Sequence, residues 1–158
     1  VTQDEQALTV GRAGVPRETS RPVVVYIPGE PVAQGRPRFA RVGRFVRAFD
    51  PAKSRKWKAL AAHWMRMAQH EGVAFPDGAV RVSVTAVFAC PKGDFRKVPL
   101  GRRLHARRPD AENVAKAALD AGSGVLWRDD AQVSTLVVVK RIGAQGEAPF
   151  VRVEVERE

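Results

Sequence analysis

Residues Val80 to Phe88 read VRVSVTAVF. Val80, Val82, Val84, Ala86 and Phe88 alternate with Arg81, Ser83 and Thr85, the period-two pattern of a strand with one buried face. Cys90, just past its end, is the only cysteine, so it reads as a small buried residue. On the N-terminal side, Asp50-Pro51 supplies a helix N-cap and a first helical residue. Trp57, Leu60, Ala61, Trp64 and Ala68 then recur at helical spacing until Gly72, predicting a helix that lays a Trp/Leu stripe on a sheet. Further upstream, Arg21 to Ile27 (RPVVVYI) is β-branched and stops at Pro28-Gly29, as a strand ending in a turn would.

On the C-terminal side, Ala111 to Ala121 is Ala-rich, with Asp110 before it and Gly122 and Gly124 after it. Val114, Ala117, Ala118 and Ala121 share one side, which predicts a second helix. Val133–Val139 and Phe150–Val155 flank a turn at Gly143 to Gly146 and read as a terminal hairpin. The order is strand, basic loop, helix, strand, basic loop, helix, strand, strand. That order predicts an α/β chain of the α+β type, with a small mixed sheet and two main helices. Residues 1–20 are polar and aperiodic and are expected to be a flexible tail, leaving 21–158 as a single domain.

With 158 residues and 44% hydrophobic composition, the chain can bury one core, which argues against wholesale disorder. One Cys closes no internal disulfide, and no Cys/His group has zinc spacing. His63, His70 and His105 show no ligand pattern and receive no catalytic role. The longest apolar runs fall far below the ~20 residues of a membrane span, so no membrane partner is expected, and the single Cys fits a reducing, intracellular setting.

The net charge of +10 is unevenly spread. Residues 28–58 carry +7 (nine basic, two acidic) and 91–109 carry +6 (seven basic, one acidic), while 110–158 carry −3 (six basic, nine acidic). Positive charge in two blocks suggests a polyanion partner, and Arg36, Arg38, Arg41, Arg44, Arg102, Arg103, Arg107 and Arg108 are the candidate DNA-binding side chains. In the first block, Phe39, Phe45 and Phe49 interleave with the arginines. They could pack on exposed bases, but the favoured reading makes Phe39 and Phe45 core anchors that hold the loop down.

Directly after the second block comes Arg108-Pro109-Asp110-Ala111-Glu112-Asn113. Glu112, Lys116 and Asp120 follow on one helix face, and Asp129-Asp130 precedes the next strand. Each piece has a plain structural reading: Asp110 as N-cap, Glu112 with Lys116 as a surface ion pair, and Asp129-Asp130 as turn residues. An acidic cluster after a +6 loop would nonetheless repel DNA unless a cation bridged them. If the strand packs beside the helix, Asp110, Glu112 and Asp130 can converge as hard oxygen ligands for Mg²⁺, with Mn²⁺ as an alternative ion. The catalytic set would be Asp110, Glu112, Lys116 and Asp130, performing metal-assisted phosphodiester hydrolysis with no organic cofactor.

These residues resemble the RusA family of Holliday-junction resolvases. The likeness starts near Val23 with Ile27-Pro28-Gly29-Glu30-Pro31 and Gln34-Gly35-Arg36-Pro37-Arg38. It is most specific in Arg108-Pro109-Asp110-Ala111-Glu112-Asn113, Lys116-Ala117, Leu119-Asp120-Ala121, Gly124-Val125-Leu126-Trp127 and Asp129-Asp130-Ala131-Gln132-Val133. The resemblance implies a RusA-like fold and a cytoplasmic, bacterial or phage-encoded, Mg²⁺-dependent endodeoxyribonuclease. Acting as a homodimer in DNA recombination and repair, it would resolve four-way junctions by paired cuts. It also implies that Asp110, Glu112 and Asp130 fall on the family's metal-binding acidic positions and Lys116 on its catalytic lysine. Glu112 departs from the usual Asp of that pattern. The alternatives are a non-catalytic branched-DNA binder of the same fold and a less selective DNA endonuclease.

Overall fold

The computed structural model describes residues 21–69 and 72–158, so the tail expected at 1–20, and His70, lie outside the described residues. The chain runs β1 (Val23–Pro28), β2 (Arg38–Val42), β3 (Phe45–Phe49), α1 (Ala52–Met67), β4 (Val80–Phe88), β5 (Arg103–Leu104), α2 (Ala111–Gly122), β6 (Val133–Ile142) and β7 (Phe150–Arg157). Five strands form a mixed sheet in the order β1-β7-β4-β6-β5, and β2 and β3 pair only with each other. This α+β arrangement agrees with the fold class read from the sequence.

The alternating strand at 80–88 sits in the middle of the sheet. It is antiparallel to β7 and parallel to β6. Parallel neighbours need a long crossover, and α2 supplies it, so β4-α2-β6 is the unit that places the second helix on the sheet. For the same reason β6 and β7 are not the terminal hairpin expected from their closeness in sequence. β4 lies between them and takes the hydrogen bonds of both, satisfying its own backbone on two sides.

The inward sides of β1 (Val25, Ile27), β4 (Val80, Val82, Val84) and β7 (Val151, Val153, Val155) meet Trp57, Ala61 and Met65 of α1. They also meet Val114, Ala117, Ala118 and Ala121 of α2, all in one core. All four apolar positions expected on α2 are buried. On α1 the buried line is Ser54, Trp57, Ala61 and Met65, whereas Leu60 and Trp64 remain about 40% exposed, at 41% and 39%. The stripe is shifted because α1 packs over β1, an edge strand, and one side of the helix overhangs solvent. Among the described residues no helix is long and apolar enough to cross a membrane.

Candidate active site

Two segments distant in sequence meet at the start of α2. Gln34 donates its backbone N–H to the carbonyl of Asn113 (2.7 Å), which ties the 30s segment to the first turn of the helix. Ser54 of α1, itself buried, holds the same segment from below. Its hydroxyl donates to the Ala33 carbonyl (3.1 Å) and accepts from the Gly35 N–H (3.0 Å). Gly35 passes so close to Pro51 that a Cβ there would lie 2.6 Å from the proline Cγ, so the close approach requires glycine. The result is a trough of about 600 Å³ lined by Gln34, Gly35, Arg36, Arg108, Asp110 and Asn113.

Asp110 stands at the N-cap position of α2, yet its side chain makes no capping hydrogen bond. Its carboxylate therefore remains available at a helix end whose dipole favours negative charge. Glu112, exposed in the first turn, forms no ion pair with Lys116 among the described residues, so the expected surface bridge is absent. The segment before Asp110 is gripped from the sheet, because Lys140 of β6 donates to the carbonyls of Arg107 (2.7 Å) and Pro109. A second compartment of the trough, about 580 Å³, ends at His105, whose ring stacks on Phe88 with centroids 4.6 Å apart. Burial, and then the charges of Lys140 and Arg107, push the His105 pKa down, favouring neutral imidazole.

Asp50 was expected to cap α1. It does not: Pro51 takes the cap position, and Asp50 turns towards Lys58, about two helical turns further on. Lys58 also donates to Asp120 of α2 (3.0 Å), and Gln34 donates to Asp50 (2.8 Å). The Lys58 hydrogen bond is the main cause of a lowered Asp50 pKa. Burial opposes it, and the charges of Lys58 and Lys116 add to it. Burial works against the Lys58 charge, but its bonds to Asp50 and Asp120 outweigh that and raise its pKa. Asp120 is thus a strut between the helices, with its carboxylate committed to Lys58. No local spacing signals this strut, because it joins residues 62 positions apart.

Asp130 is elsewhere. It opens a short 3₁₀ turn capped by Asp129 and Gln132, and its Oδ1 accepts the indole N–H of the fully buried Trp127 (2.9 Å). That turn leads into Val133 at the opposite end of β6 from Lys140. Seven strand steps separate Val133 from Lys140, about 23 Å at ~3.3 Å per residue, and the length of α2 gives about 18 Å for the same separation. The expected convergence of Asp110, Glu112 and Asp130 within one chain is therefore not met. Among the described residues no group of three His, Cys, Asp or Glu side chains is close enough to share an ion. The physical reason is the crossover: a helix linking two parallel strands starts at one end of the sheet and finishes at the other. The donor chemistry still fits a hard divalent cation, since Asp110 and Glu112 are exposed carboxylates, with no ion-pair or side-chain hydrogen-bond partner among the described residues, at the start of one helix.

The arginines divide into two kinds. Arg36, Arg38, Arg41 and Arg44 of the first block are exposed, as are Arg107 and Arg108 beside the trough. Arg102 is instead committed to Glu147 and lies 5.4 Å over the Phe150 ring, and Arg103 is paired with Asp94 and approaches Cys90. The long loop from 91 to 109 is consequently more ordered than its composition suggests, with a 3₁₀ turn and β5 paired to β6. Phe39 and Phe45 do not anchor the first block. They are 73% and 74% exposed on a hairpin that packs into no core. The cause is topological, because the β2–β3 ribbon stands off the main sheet and offers its aromatics no apolar surface to cover.

A family model described as "Endodeoxyribonuclease RusA" matches residues 28–156, which takes in the trough, both helices and the Asp130 turn. The chain is also 34% identical to the "Uncharacterized protein YqaN" of Bacillus subtilis (strain 168), a match that covers 71% of this chain and 82% of that one. On a match that spans nearly every described element, the chain belongs to the RusA endodeoxyribonuclease family.

Proposed function

We propose that this protein is a divalent-metal-dependent endodeoxyribonuclease that resolves Holliday junctions in DNA recombination and repair, and that it acts as a homodimer. The observation that carries the reading is the trough in which Asp110 meets Arg36 and Arg108, in a chain of the RusA family. Arginines beside a carboxylate suit one task well: holding a phosphodiester next to a site for a cation. Asp110 and Glu112 would hold Mg²⁺, or Mn²⁺ in its place, which when bound supplies Lewis-acid activation of water and charge neutralisation at phosphorus. Arg36 and Arg108 orient the scissile strand through its phosphates. Lys116, one helical turn beyond Glu112, stabilises developing negative charge on the phosphate.

Asp130 joins this set through the dimer. A two-fold axis that brings the Asp130 turn of one subunit to the α2 start of the other builds two equivalent sites. Two such sites match the symmetry of a four-way junction, where paired cuts in strands of like polarity are required. His105, stacked on Phe88, and the Lys58 strut take no part in the chemistry and hold the trough and the helices in place.

The test is cleavage of a mobile four-way junction and of linear duplex in Mg²⁺ and in Mn²⁺, beside Asp110→Asn. Symmetric junction cuts that vanish in the variant, while junction binding persists, support the reading. Binding without cutting in either ion would make the protein a non-catalytic branched-DNA binder. Equal cutting of linear duplex would make it a less selective endonuclease.

A further inference from the structure

The β2–β3 ribbon is the feature that a general phosphate-binding role does not explain. All ten of its strand residues are exposed. A two-stranded ribbon with no covered face is marginal by itself in water, and large exposed aromatics mark surfaces awaiting a partner. The register distributes its side chains over two faces. Arg38, Val42, Phe45, Arg47 and Phe49 share one face, and Phe39, Arg41 and Val46 share the other. Each face therefore mixes rings with guanidinium groups. A ribbon built to dock on a protein core would segregate one apolar face; this one presents the same chemistry on both sides.

Charge identifies the class of partner. Residues 36–49 contain Arg36, Arg38, Arg41, Arg44 and Arg47 and no acidic residue, so the ribbon complements a polyanion and repels another ribbon like itself. Its geometry identifies the place. The two legs are joined at the root by Gln34 and Asp50, and that root is bonded to Asn113 beside Asp110. Five residues per strand carry the tip about 17 Å outward at ~3.3 Å per residue. Gly43, at φ +62°, makes the two-residue turn that brings Arg44 and Phe45 to that tip.

We propose that this ribbon is a wedge that enters the branch point of DNA. Phe45 and Phe39, on opposite faces, stack on bases exposed where duplex arms part, while the arginines hold the flanking phosphates. The proposal rests on the nuclease reading only for the identity of the nucleic acid. Stacked aromatics and inserted apolar side chains are established means of gripping unpaired or unstacked bases. The wedge explains how a site that reads only phosphates is directed to branched DNA: linear duplex offers the rings no open base face.

The experiment compares the parent with Phe39→Ala, Phe45→Ala, the double variant, and Phe39→Trp/Phe45→Trp. Binding is measured without divalent cation on a four-way junction and on linear duplex of the same arm sequence, with 2-aminopurine placed at the branch point. The double alanine variant should bind the junction about 10- to 100-fold more weakly, the range of losing one or more base–aromatic stacks, with duplex binding within about twofold. It should also lose the 2-aminopurine fluorescence change, and the tryptophan variant should restore both. Parallel loss on junction and duplex, or no loss on either, overturns the wedge. So does conversion of a parental dimer to monomer in sedimentation, which would make the ribbon a subunit arm. The same binding assay separates the two readings. A parent that never cuts but whose junction preference depends on the rings removes the nuclease and keeps the wedge. A parent that cuts junctions indifferently to the rings does the reverse.

Discussion

The indole of Trp127 lies across Gly122, the last residue of α2, so closely that a Cβ there would fall 2.3 Å from the ring's Cη2. The same indole donates to Asp130 (2.9 Å), so the end of the helix, the fully buried tryptophan and the proposed metal ligand form one rigid corner.

Gly122→Ala forces the ring or the helix end to move. Overpacking of this kind costs about 1–3 kcal/mol, or about 3–10 °C in Tm for a chain of this size. Calorimetry reads the stability loss, and a parallel loss of junction cleavage is expected because Asp130 moves with the ring. An unchanged Tm would show that the corner is not rigid.

The separation of Asp110 from Asp130 makes the composite site testable by mixing two inactive proteins. In a heterodimer of Asp110→Asn with Asp130→Asn, one site collects both substitutions and the other collects neither. Refolding the two variants together should thus recover nicking on about a quarter of the parental sites, since half of the dimers are mixed and each holds one intact site. If each site drew all its ligands from one chain, the mixture would stay inactive.

Glu112→Asp shortens the proposed ligand by one methylene while keeping its charge. Junction binding should change little, and the ratio of Mg²⁺- to Mn²⁺-supported cleavage should shift. Glu112→Gln, which removes the charge, should lower cleavage about 100-fold or more, as loss of a charge aimed at the transition state does. Steady-state nicking assays in each metal decide both points. Unaltered rate and metal preference in both variants would remove Glu112 from the ligand set.

Exposed and paired arginines should behave differently towards salt. Arg41→Ala and Arg44→Ala should each reduce the slope of log K against log salt by about 1. Arg102→Ala should reduce it less, because Glu147 already occupies that guanidinium. Titrations at several salt concentrations would separate the two groups.

Glu147 also sets an acid-sensitive contact. Hydrogen bonds from Arg102, and then from the Ala144 N–H, bring its pKa from 4.5 to about 2. A carboxylate depressed in the folded state contributes stability that is present above its unfolded value and is lost as pH falls through the folded one. The urea midpoint of the parent should therefore decline between about pH 5 and pH 2, and the Glu147→Gln curve should be flatter over that window.

Several elements were legible because their signals are local. The alternation at 80–88, the Ala-rich helix after Asp110 and the breaks at Gly122 and Gly124 depend on neighbours within one or two turns. The charge blocks were legible for the same reason, as was the run from Arg108 to Asn113 that carries the family likeness. The Lys58–Asp120 strut and the commitment of Arg102 to Glu147 were not, since each joins residues more than forty positions apart.

The kinds of element, the family likeness and the identity of the acidic and basic side chains can be read along the chain, because periodicity, turn chemistry and charge are written residue by residue. That β4 separates β6 from β7, that Phe39 and Phe45 face solvent, and that Asp110 and Asp130 stand at opposite ends of α2 emerge only in the folded chain. Those outcomes follow from which strand takes which backbone hydrogen bonds. A parallel pair bridged by a helix carries its two connecting loops to opposite ends of the sheet, and no local pattern records that distance.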